Sequence, residues 1–175
     1  MDSFSFETLN NANLINDGIS ILLGIALSSA CGFRIFVPFL MISIVGAWGI
    51  WTLPDGFEWL DTNQALLLFA VASAVEVFAY AIPWLDNLLD VIATPLATFA
   101  GVLATATALS PEMNPLVQWT VAIIAGGGSA SLIKGLTNTS RLTSTVTTGG
   151  SANFIVAMLE LIAATILSLL AITLP

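Results

Sequence analysis

Arg34, Glu76, Lys134, Arg141 and Glu160 are the side chains of this sequence best suited to chemistry, because each sits in or beside an apolar run. An ionised group at the centre of a bilayer costs ~2.5 kcal/mol or more on insertion scales, and such groups face one another or a wet interior rather than lipid. Two arrangements satisfy that constraint. In the first, Arg34 pairs with Glu76 and Arg141 with Glu160, and the pairs hold helices in register. In the second, the five line a polar cavity where a substrate or ion displaces one partner. Three bases against two acids leave a positive surplus unless Asp86 or Asp90 joins them. A surplus of that sign favours an anionic group on the solute.

Three further constellations surround these five. The stretch SSACGFRIFVPF, residues 28–39, carries Arg34 and puts Ser28 six residues before it, a hydroxyl within reach of the same site. AGGGSASLIKG, residues 125–135, makes a helix surface almost bare of side chains at Gly126, Gly127 and Gly128. Bare surfaces let helices pack closely in membranes. Alternatively, the triple glycine breaks the helix and aims free N–H groups at an anion beside Lys134. TNTSRLTSTVTTGGS, residues 137–151, is rich in hydroxyls, with Thr139, Thr143 and Thr147 as candidate ligands for an ion or as the lining of a water path. Such hydroxyls also bond to their own helix carbonyls.

Asp86 and Asp90 lie four residues apart and so share one helix face. With Glu76 they are a candidate carboxylate cluster for protons or a hard cation. Following Pro83 as they do, they also suit the start of a helix, where a cap and the dipole favour acids.

The composition excludes several classes. There is no histidine and a single cysteine, Cys31, so no Cys/His metal site and no internal disulfide can form. Cys31 has no usual base partner and is expected to pack as a small apolar residue. No nucleophile–base–orienter set, phosphate loop or redox motif is present, so neither an enzyme nor a bound cofactor is expected. Without a basic patch, nucleic acid is not a partner.

The elements that hold these residues follow from hydropathy. The 175 residues are 57% hydrophobic and only 8% charged, with mean hydropathy +0.98. A soluble domain averages roughly a quarter charged residues, so lipid must cover most of this surface. The length suits about five to seven membrane segments. Residues 1–17 are acidic and polar and read as a lead-in; residues 18–175 read as one transmembrane domain. Net charge is −8, but the few Lys and Arg avoid the loops, so orientation cannot be read from them.

Gly18–Trp51 is a 34-residue apolar run. As one helix it would reach ~51 Å, against a ~30 Å hydrocarbon core. It must break, at Cys31-Gly32, near Arg34 or at Pro38. Trp48, Trp51 and Trp59 then form an interfacial belt. Spans are expected at Gln64–Ile82, at 83–109 with Pro95 inside, at Leu116–Leu136 and at Asn153–Leu174. The hydroxyl-rich 137–151 must be buried, line water or leave the membrane. The expected fold is therefore an all-α polytopic transmembrane helix bundle with broken or re-entrant helices.

SSACGFR and GLTNTSR (135–141) both run from a small residue to arginine and precede a span with one glutamate, an echo consistent with an inverted repeat. Together with AIPWLDNLLDVIATPLA (81–97), WTVAIIAGGGSASLIKG (119–135) and TSTVTTGGSAN (143–153), the stretch SSACGFRIFVPF resembles a family of bacterial membrane proteins catalogued as a domain of unknown function, DUF4126. The resemblance implies a multi-pass protein of the bacterial inner membrane with the motif residues facing inward. It implies no activity. The residues themselves suggest a small transporter or channel for an ion or small anionic solute, working as a homodimer. A structural or assembly factor of a larger membrane complex and a lipid-handling protein are the alternatives.

Overall fold

The computed structural model describes residues 2–79 and 83–173, with side chains over 14–79 and 92–173. Helices make up the fold, and among the described residues there is no strand. Helix α1 is Asp2–Phe33, α2 Phe36–Ala47, α3 Asn63–Ala79, α4 Pro83–Ala108, α5 Pro115–Thr148 and α6 Asn153–Thr173. The polar lead-in is continuous with α1. Among the described residues three stretches are long and apolar enough to cross a membrane: Leu14–Phe33, Pro115–Thr148 and Asn153–Thr173. Phe36–Ala47 and Asn63–Ala79 are shorter apolar helices, and Ile92–Ala108 is the apolar later part of α4. The large side chains that cover the outside, among them Leu68, Phe78, Leu132 and Val146, are apolar, as a lipid-facing surface requires.

The 34-residue apolar run breaks at Arg34-Ile35 and turns back on itself. Ile50 and Trp51 return to the level of Ile19 and Leu23, where Ala108 of α4 and Ala171 of α6 also end. Pro38 falls in the first turn of α2, where its missing N–H costs nothing, so it starts the helix rather than kinking it. Trp48 and Trp59 are exposed near this end, and Trp59 packs on Phe69, which stacks on Phe39 to join α2 to α3.

Small residues fix how closely α1, α4 and α5 approach. Gly24, Ser28 and Gly32 form a stripe at four-residue spacing on α1. A Cβ on Gly32 would lie 2.7 Å from the Ala130 carbonyl, and one on Gly101 of α4 would lie 2.5 Å from Ala130 Cβ. Gly126 of α5 would collide with Thr105. Thr105 also donates to the Gly24 carbonyl at 3.0 Å, so the three helices share one hydrogen-bonded crossing. Cys31 is fully buried beside Leu27, Phe39 and Ile42, packed as an apolar residue.

Helix α5 decides one pair of alternatives and departs from one expected bound. The triple glycine does not break it. The chain widens into a π-helix over Ala122–Gly127 and resumes as an α-helix over Gly128–Thr148, so its N–H groups stay within the helix. Nor does the span end at Leu136. The hydroxyl-rich stretch stays helical to Thr148, where Gly149 stops it with φ 64°. Its backbone is paired internally, which removes the need for a wet lining. The echo between SSACGFR and GLTNTSR does not place its two arginines alike: Arg34 follows a helix end and Arg141 lies mid-helix.

Candidate functional site

The inward faces of α5 and α6 follow one rule. On α5 the buried residues are Ala130, Lys134, Thr137, Arg141 and Ser144; on α6 they are Ala157, Glu160, Ala164, Ser168 and Ala171. Steps of three and four keep each set on one helix face. Charged residues occupy core positions of helices whose other core positions are small. The room left by alanine and serine admits long guanidinium and ammonium stems.

These faces meet the break between α1 and α2, and there the five ionisable residues converge. None of Arg34, Glu76, Lys134, Arg141 and Glu160 is more than 8% exposed. Arg141 grips Glu160 with two nitrogens, Nε to Oε1 at 2.9 Å and Nη2 to Oε2. The fork of the guanidinium matches the carboxylate, the strongest common geometry for such a pair. Arg34 Nη2 lies 3.7 Å from the same Oε2 and donates to the Ala157 carbonyl at 2.8 Å. Glu160 thus bridges two arginines, one at the break after α1 and one within α5.

Glu76 was expected to pair with Arg34 and instead caps a helix. Its Oε1 accepts from Ile35 N–H at 2.9 Å and its Oε2 from Phe36 N–H at 3.2 Å. The physical reason is the break itself: the first N–H groups of α2 have no partner in their own helix, and their end of the dipole favours an anion. Arg34 and Lys134 act on this carboxylate through space.

Ser28 is fully buried in the small stripe and donates to Ser129 at 3.1 Å, serving the contact of α1 with α5. Thr139, Thr143 and Thr147 are not brought to the cluster. They are exposed, and each hydroxyl returns to a carbonyl one turn back, Gly135, Thr139 and Thr143 respectively, at 2.8–2.9 Å. Gly126 and Gly127 pack against α4, while a Cβ on Gly128 would meet nothing. The side chains of Asp86 and Asp90 lie outside the described residues. Among the described residues no group of acids, histidines or cysteines could hold a metal ion.

Sequence reasoning passed over a ladder between α4 and α5. Thr98 and Ser131 are 2.7 Å apart, and Asn138 Nδ2 donates to Thr94 at 3.2 Å. Thr94 and Thr98 on one helix and Ser131 and Asn138 on the other recur at about one to two turns. That spacing was the available signal.

The family described as a domain of unknown function (DUF4126) matches residues 21–175. The chain belongs to the DUF4126 family. The match takes in the helix break, the small-residue crossing and Arg34, Glu76, Lys134, Arg141 and Glu160, so this DUF4126 chain carries its ion network inside the family region. No curated protein and no solved structure matches the chain.

Proposed function

We propose that this DUF4126 protein is a small multi-pass transporter whose solute site is the network of Arg34, Arg141, Glu160, Glu76 and Lys134. The observation that carries the reading is Glu160 bridging Arg34 and Arg141 in a fully buried position at a helix break. Rise along the helix sets Glu76 ~20 Å from the start of α3 and Glu160 ~20 Å from the end of α6. In a ~30 Å hydrocarbon core both acids then sit deep within the layer. A broken helix with charges at that depth is the arrangement by which many transporters hold a solute at the midplane. Here a small anion would compete with Glu160 for the two guanidiniums. The protein works as a homodimer in this reading, since a bundle this small encloses little space alone, and it performs no covalent chemistry.

Proteoliposomes loaded with a panel of inorganic and small organic anions test the proposal. Flux of at least one anion is expected, lost in Arg34→Gln with the protein still folded. Wild-type vesicles as tight as empty ones across the panel would overturn it.

A second reading has its own support. Arg141 and Glu160 satisfy each other's geometry, as a purely structural pair would. The protein would then stabilise a larger membrane assembly. Replacing Arg34, Arg141 and Glu160 together with apolar residues distinguishes the two: a structural network tolerates that exchange, whereas flux does not survive it.

A further inference from the structure

We propose that a groove on the outside of the bundle binds an uncharged amphiphile, a membrane lipid with a long apolar chain and a hydroxyl head that donates to Glu76. The groove runs between α3 and α4 to the start of α2 and encloses about 310 Å³. Leu68, Val71 and Val75 form one wall and Ile92 and Leu96 the other, all about half exposed and facing outward. Among the described residues, Glu76 is the one ionisable group in the lining.

The chemistry of the head follows from what surrounds that carboxylate. Glu76 accepts one hydrogen bond on each oxygen, from Ile35 and Phe36. An ionised carboxylate offers about four acceptor sites, so capacity remains for a donor arriving along the groove. A cationic head is disfavoured, because Arg34 and Lys134 already act on the carboxylate from within the bundle. An anionic head would meet Glu76 across apolar walls, where like charges repel strongly. A neutral donor meets neither obstacle. Depth selects the same class. Glu76 sits ~20 Å along α3, below the level of charged headgroups, and an uncharged hydroxyl can sink that far at modest cost. The chain of such a lipid needs only the apolar walls, which no described side chain of the protein covers.

The site stands apart from the transport reading, since it opens to lipid and does not require a solute to cross. A long-chain primary alcohol carrying a photoreactive diazirine tests it. The probe is added to phosphatidylcholine vesicles holding the full chain, and adducts are mapped by mass spectrometry. Adducts are expected to concentrate on Val71, Val75 and Ile92 over Leu132 and Leu136, which are at least as exposed. The matched methyl ether, which cannot donate, should label the groove about tenfold less, the loss of one hydrogen bond to a charged acceptor. Val71→Trp, which fills the groove from its lipid side and leaves Glu76 untouched, should abolish the preference. Equal labelling by alcohol and ether, stronger labelling by the corresponding amine or carboxylic acid, or adducts spread evenly over Leu132 and Leu136 would each overturn the proposal.

Discussion

Glu76 and Glu160 are each the single acid of an apolar helix, buried at similar depth in one bundle, yet they are answered differently. Glu160 meets two guanidiniums. Glu76 meets two backbone N–H groups. The first contact is between side chains and the second between a side chain and a broken end of main chain. A helix end supplies the equivalent of about half a positive charge without any basic residue. Pairing acids with bases by composition therefore identifies the Glu160 partner and misplaces the Glu76 partner.

The contrast can be broken by removing one charge at a time. Glu160→Gln leaves two buried guanidiniums without their shared carboxylate, and destabilisation of ~3–5 kcal/mol is expected. Unfolding in mixed micelles by titrated dodecyl sulfate would measure it. Glu76→Gln keeps a carbonyl oxygen for one of the two N–H groups, so a smaller loss of ~1–2 kcal/mol, the scale of a helix cap, is expected in the same assay. Equal losses in the two variants would mean that the two acids are not held by different means. Gly126→Ala tests the crossing that frames them. Its Cβ would collide with Thr105 and approach the Gly101 carbonyl to 2.7 Å. Overpacking of this kind costs ~1–3 kcal/mol, whereas Gly128→Ala enters open space and should be neutral or slightly stabilising. The smallest effect is expected for Thr143→Val, within ~0.5 kcal/mol, because the hydroxyl serves only its own helix. A large loss there would return the outer hydroxyls to the site.

Hydropathy was enough to read an all-helical membrane fold, the need for a break before Trp51 and the convergence of the ionisable residues. What escaped was lost for identifiable reasons. The break was bracketed between Gly32 and Pro38, but its consequence, a set of free N–H groups that recruits Glu76, exists only once the chain has turned. The hydroxyls of 137–148 look like one cluster when counted along the chain. At 3.6 residues per turn they divide, with Thr137 and Ser144 inward on the stripe of Lys134 and Arg141, and Thr139, Thr143 and Thr147 outward. The periodicity was present in the sequence, and applying it would have separated them. The stripe Gly24, Ser28, Gly32 was equally visible at four-residue spacing. The π-helix was not, since three glycines permit a break, a kink or a wide turn alike, and the fit against Thr105 and Gly101 selects among them.

The length of α5 has a consequence of its own. At ~1.5 Å per residue Pro115–Thr148 extends ~51 Å, and membrane helices lean by at most ~40°. Even at that slant, it overshoots the greasy layer and some of it stands clear. The threonine-rich end suits that position, since hydroxyls already bonded to their own turn neither demand water nor shun it. A thicker or thinner membrane can therefore slide along this end while the arginines and Glu160 keep their places.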